Sequence, residues 1–213
     1  MSKLSTTYPA QIKNLPYYSK ILAFYANPKR DYHGEKHLDY QFKLIATLVP
    51  LLPSNIDLPY AIAFLQNTSL FHDCYFDYNN SKGLNERVSA ELAFTHIRKI
   101  DEVLAKDVRL AVLASQYFLK KEKQLELAKK STVPELVLLF QDIDLHSLQS
   151  KDAEPTITQE LLNFGYKKEQ VTLGRIKFFQ SLQPRIESGF FHIPFADLHS
   201  YFDNTLVSTN TKV

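Results

Sequence analysis

Residues 57–73 read DLPYAIAFLQNTSLFHD. Asp57 and Pro59 are good residues for a helix start. Beyond them Ile62, Leu65, Ser69 and His72 follow at steps of 3, 4 and 3, which puts them on one helical face. The stripe predicts an inward-facing helix that closes on a histidine and an aspartate.

The same period repeats on both sides of this segment. Residues 84–100 place Leu84, Val88, Leu92, Ile97 and Ile100 on a second inward stripe. Further helices are expected over 16–26, 35–49, 105–121, 134–147, 157–164, 168–182 and 195–207. Gly34, Gly83, Gly165 and Gly189 fall at the breaks. No strand-like alternation competes and no internal repeat appears. The polar stretches Asn79–Gly83 and Gln149–Pro155 are too short to serve as interdomain linkers. The expectation is an all-α chain, one helical-bundle domain over 1–213 with its core at about 20–190.

Composition agrees with a globular protein. Of 213 residues, 45% are hydrophobic and 23% charged, so disorder and fibre are excluded. A net charge of +2 is too small for a chain whose main partner is a nucleic acid backbone. One cysteine, Cys74, rules out a disulfide framework, and reads as a small buried residue. The first residues lack the apolar core of a signal peptide, and the longest apolar stretch, Leu44 to Leu52, is far below membrane-spanning length. A cytoplasmic location is expected, with no membrane partner.

Three polar clusters interrupt the apolar helices. His72-Asp73 continues a buried stripe, where a polar pair needs a hydrogen-bond network or a cation. A core histidine bonded to a carbonyl would satisfy the same pattern. Tyr32-His33-Gly34-Glu35-Lys36-His37 offers histidines at i and i+4, a chelating spacing if helical. Gly34 alternatively leaves His33 on the turn that enters the helix. Gln141-Asp142-Ile143-Asp144-Leu145 sets two acids near a helix C-terminus, where the macrodipole disfavours them. Asn85 and Glu86 read as good first-turn residues. Taken in order, a histidine pair, a His-Asp step and an acid on separate helices describe one convergent N/O site. Such a set suits a divalent ion among Mn, Mg, Fe, Co, Ni and Zn.

This order resembles the HD superfamily of metal-dependent phosphohydrolases, and within it a branch of small, uncharacterised predicted members. The branch carries P-x-R-x-Y-H-x-x-x-H, F-H-D-x-x-Y-D, N-E-x-x-S-A and D-x-D-L. Here these stand as Pro28-Lys29-Arg30-Asp31-Tyr32-His33 to His37, Phe71-His72-Asp73-Cys74-Tyr75-Phe76-Asp77, Asn85-Glu86 to Ser89-Ala90, and Asp142-Ile143-Asp144-Leu145. Gly174-Arg175 with Phe178, Phe179 and Leu182 is similar to its G-R-x-x-x-L segment. The resemblance implies His37, His72, Asp73 and one acid of the Asp142/Asp144 pair as metal ligands. Asp144 is chosen because the family's last ligand usually precedes a hydrophobic or basic residue. The Tyr-His-x-x-x-His piece also resembles the cyclic nucleotide phosphodiesterases of the superfamily, which implies His33 as the general acid beside His37 as a ligand.

The implied activity is hydrolysis of a phosphate ester, with a nucleotide or related small molecule as substrate. The metal would acidify water for attack on phosphorus, and an imidazole can protonate the leaving group near neutral pH. Glu86 is assigned to orienting the water or a ligand histidine, and Arg30, Lys36 and Arg175 to phosphate contacts. The branch's next helix bears a threonine and a histidine. This chain has Ala114-Ser115-Gln116-Tyr117-Phe118 there and no histidine between His96 and His146, so one ion is expected instead of two. The rival is a catalytically impaired domain that binds a nucleotide as a regulatory module. A di-iron oxygenase would need more histidines, and a plain helical interaction module would need no metal. A homo-oligomer is left open. His146, His192 and His199 are read as structural or surface residues.

Overall fold

The helix at the centre of the reading starts where its signals place it. The Asp57 carboxylate accepts the backbone N–H of Tyr60 at 3.1 Å, and Pro59 stands in the first turn. The computed structural model describes residues 12–77, 83–116, 119–146 and 153–187, the last without the side chains of Glu154, Arg175, Phe179 and 181–187. Among the described residues lie nine α-helices and no strand: α1 (Tyr18–Leu22), α2 (Glu35–Leu48), α3 (Leu58–His72), α4 (Leu84–Ile97), α5 (Glu102–Ala114), α6 (Lys121–Lys129), α7 (Pro134–His146), α8 (Ala153–Asn163) and α9 (Lys168–Glu187). The helix expected over 195–207, with His192 and His199, lies outside the described residues. No helix among the described residues is long and apolar enough to cross a membrane.

α3 is the helix around which the others gather, touching α1, α2, α4, α5 and α7. Its C-terminal half, from Asn67 on, is buried all round and not along one stripe: Leu70 and Phe71 sit in the core together with Asn67, Thr68, Ser69 and His72, and Ala61, Phe64 and Leu65 precede them there. Its polar groups bond locally. Thr68 Oγ1 donates to the Phe64 carbonyl, Asn67 Nδ2 donates to that of Ala63, and Tyr17 donates to Asn67 Oδ1 at 2.6 Å.

The stripe predicted for 84–100 is corrected. Leu84, Val88 and Leu92 are only half-buried and Ile100 is 47% exposed; the inward face of α4 is Ser89, Ala90, Ala93 and Ile97. α4 packs most extensively on α5, which answers with Ala105, Val108, Ala111 and Val112. Small side chains let the two backbones approach, a device that hydrophobicity alone does not reveal. α5 starts earlier than expected, because Asp101 caps it through the N–H of Leu104 at 2.8 Å. α6 is not anticipated from sequence: only its Gln124 and Ala128 are buried.

A buried acid ties three elements together behind the centre. Asp107 of α5 accepts from Tyr60 of α3, from Ser131 Oγ and from the N–H and hydroxyl of Thr132, which precede α7.

Candidate metal centre

The C-terminal end of α3 leaves carbonyls that need donors, and the chain supplies three. Tyr25 donates to the Leu70 and Ser69 carbonyls at 3.0 and 3.3 Å. His72 bonds the Ser69 carbonyl through Nδ1 at 2.8 Å. Arg30 donates to the carbonyls of Phe24, Asp73 and Cys74 at 2.9, 2.6 and 3.4 Å, with its guanidinium over the rings of Tyr25 and Phe76. A cation at a helix C-terminus also complements the macrodipole.

Sequence assigns Arg30 to a phosphate contact; the structure shows what else it does. At 6% exposed, its guanidinium is bonded to backbone carbonyls and holds the turn that carries Asp73. Lys36 is exposed on α2, and Arg175 stands on α9 with its side chain outside the described residues.

The N-E-x-x-S stretch clamps the same turn from the other side. Asn85 accepts from the N–H of Asp77 at 3.1 Å and donates to its carbonyl at 3.2 Å, while Ser89 Oγ accepts from the N–H of Tyr75. Cys74, between the clamps, is buried, and burial pushes its thiol up to about 11.

α2 begins after Gly34, where a Cβ would stand 2.4 Å from the Arg30 carbonyl oxygen. His33 is thus on the entering turn and His37 on the first turn of the helix, buried and directed at α3. His37 Nε2 is 3.4 Å from His72 Nε2 and 3.3 Å from Asp144 Oδ1, and His72 Nε2 is 3.0 Å from Asp73 Oδ2 and 3.2 Å from Asp144 Oδ1. One ligand atom from each of His37, His72, Asp73 and Asp144 falls within 4.8 Å of all the others, so the cluster could hold a metal ion.

Local chemistry fits such an ion. With Nδ1 of His72 committed to a carbonyl, Nε2 is the nitrogen turned to the cluster, the arrangement that orients metal-binding imidazoles. Ligands of one ion at about 2.0–2.2 Å keep spacings close to those seen. Asp142 does not join them: it is buried, its Oδ2 has no hydrogen-bond partner, and burial raises its carboxyl well above the ordinary range.

The charges of the cluster lean on one another. Burial opposes protonation of His72, but Asp73 and Asp144 outweigh it and hold its pKa well above the usual value. Burial likewise pushes both carboxyls up, and the neighbouring imidazolium of His72 prevails and holds them low. His37 is lowered, by burial first. Glu86, in the first turn of α4, is raised by burial and by the nearby Asp73 carboxylate, and makes no hydrogen bond to either ligand histidine.

His33 stands beside the cluster and outside it. Its ring stacks on Phe76 at 4.5 Å between centroids and lies 5.9 Å from the ring of His37. Its holder is Glu160 of α8, which sequence reasoning misses. Glu160 is 1% exposed. One carboxylate oxygen accepts the N–H groups of Tyr32 and His33 at 2.6 and 2.9 Å, and the other meets His33 Nδ1 at 2.5 Å. Asn163, one turn on, donates to Asp31. No local signal marks Glu160; it is one acid on a half-polar helix. His146 pairs with Tyr40 at 2.5 Å, and His96 packs on Tyr17 and Phe71.

Among known proteins, no family model matches the chain, and neither does any curated protein or solved structure.

Proposed function

We propose that this chain is a metal-dependent phosphohydrolase of the HD type, cleaving a phosphate ester of a nucleotide or related small molecule. The observation that carries the reading is the division of labour among neighbouring side chains. Four potential ligands converge, and a fifth polar group, His33, stands close by with its own buried carboxylate partner. In the order of the sequence these are the residues that the resemblance assigns to ligands and to the acid.

When bound, a divalent cation supplies charge that draws on a phosphoryl oxygen and acidifies water. His37, His72, Asp73 and Asp144 would hold it. Glu160 fixes the ring of His33 through Nδ1, which leaves Nε2 as the nitrogen that hands a proton to a leaving oxygen. Phe76 covers one face of that ring and keeps it from turning. Glu86, raised by burial and by the Asp73 charge, is assigned to orienting the water or a ligand histidine. Arg30 acts on the reaction only through the turn that it braces.

A screen of purified protein, supplied in turn with Mn²⁺, Mg²⁺, Fe²⁺ and Zn²⁺, against nucleoside mono-, di- and cyclic phosphates and nitrophenyl phosphate tests the reading. Release of phosphate or ring opening that needs the ion supports it. Nucleotide binding without turnover under every ion would replace it with the regulatory module.

A further inference from the structure

Gln41 lies one helical turn beyond His37 on α2 and is fully buried, at 0% exposed. Its Nε2 is 3.0 Å from His37 Nε2 and 3.4 Å from His72 Nε2, and donates to Asp144 Oδ1 at 2.9 Å. The amide nitrogen therefore sits among the ligand atoms themselves. Its Oε1, at the other side of the amide, is buried with no hydrogen-bond partner. A buried amide oxygen without a donor is costly, and native proteins rarely keep one without use.

We propose that Gln41 is a fifth ligand of the metal, through Oε1. The proposal rests on reading the His37, His72, Asp73 and Asp144 cluster as a metal site. A half-turn of the amide about Cγ–Cδ exchanges Nε2 for Oε1 with little change of shape. Without a cation, the N–H₂ group substitutes for positive charge, giving hydrogens to Asp144 and to the lone pair of His37. With a cation, the oxygen turns inward, the lone pairs of His37 and Asp144 that the amide engaged are released to the ion, and His72 Nε2 gives its proton to solvent as it joins them.

The chemistry then selects an ion class. Two imidazole nitrogens, two carboxylate oxygens and one amide oxygen form a five-donor, oxygen-rich set. It suits an ion that accepts five or six ligands, Mn²⁺ or Fe²⁺, over Zn²⁺, which is content with four. A substrate oxygen or water completes the sphere.

Calorimetric titration of Mn²⁺ and of Zn²⁺ into the metal-free full-length chain tests this, with Gln41→Leu and Gln41→Glu beside the wild type and circular dichroism to confirm folding. The wild type is expected to bind one Mn²⁺. Gln41→Leu should weaken Mn²⁺ by ~10–100-fold, the range for loss of a supporting group at a metal, and Zn²⁺ by less than ~3-fold. Gln41→Glu, which offers an oxygen in either rotamer, should bind Mn²⁺ at least as tightly as wild type, and decides the matter alone if the leucine variant does not fold. Unchanged Mn²⁺ affinity in Gln41→Leu, equal loss for both ions, or loss of Mn²⁺ in Gln41→Glu would overturn the ligand role while leaving the metal site standing. A wild type that binds neither ion would remove the metal site and the fifth ligand with it.

Discussion

His33 Nδ1 and Glu160 Oε1 stand 2.5 Å apart although 127 residues separate them in the chain. The carboxylate that makes this contact also caps two backbone N–H groups of the same turn. Glu160 thus fixes both where the His33 backbone runs and which way its ring faces, and α8 becomes a component of the site through one side chain.

If this is a positioning contact, Glu160→Gln should leave metal content at the wild-type level and lower kcat by ~10–10²-fold with KM little changed. The loss should shrink for nitrophenyl phosphate, whose leaving group needs no proton. A variant with full kcat on a poor leaving group would reduce Glu160 to a structural brace.

Arg30 gives a test in which two roles predict opposite outcomes. As a brace for the carbonyls of Phe24, Asp73 and Cys74, its replacement in Arg30→Met should cost roughly 2–4 kcal/mol of stability, from stranded acceptors and a lost buried cation. Thermal unfolding measures this, and metal affinity should fall with it because Asp73 is on the braced turn. An unchanged unfolding midpoint with a raised KM would return Arg30 to the phosphate contact expected from sequence.

A pH effect is expected away from the site. His96 rests on Tyr17 and Phe71, and burial, aided by Lys99 and Lys20, lowers its pKa. Its folded value lies below its unfolded one, so above the ordinary histidine range it adds no pH dependence. As pH falls through the unfolded value of ~6.5, the unfolded chain takes the proton first and stability is lost. His96→Phe should flatten the fall of the unfolding midpoint between about pH 7 and 5. A slope identical to wild type would show that His96 is as basic folded as unfolded.

What is legible in the sequence follows from range. α3 is readable because its cap, its apolar spacing and its terminal His-Asp step are local, and the two other ligand-bearing segments, with His37 and Asp144, can be put in order by motif. α6 is not, since KEKQLELAK buries little and offers no stripe. On α4 the large apolar residues draw attention, whereas Ser89, Ala90 and Ala93 are the ones buried, with Ile97. Arg30 looks like surface because most arginines are, and only the folded placement of the Phe24, Asp73 and Cys74 carbonyls gives it another task. Gln41 carries a usable signal, an uncharged polar residue one turn after His37 on the same face. Glu160 carries none, because its partner is fixed only when the chain folds.

On the proposed function, His37 holds an ion and His33 does not. Elemental analysis of bound metal per chain in wild type, His37→Ala and His33→Ala, all purified after loading with the same ion, tests it most directly. About one ion per chain is expected in wild type and in His33→Ala, and near none in His37→Ala, with hydrolysis of an unactivated ester lost in both variants, by ~10²–10⁴ in His33→Ala. Equal loss of metal from the two variants, or full metal content in His37→Ala, would contradict it.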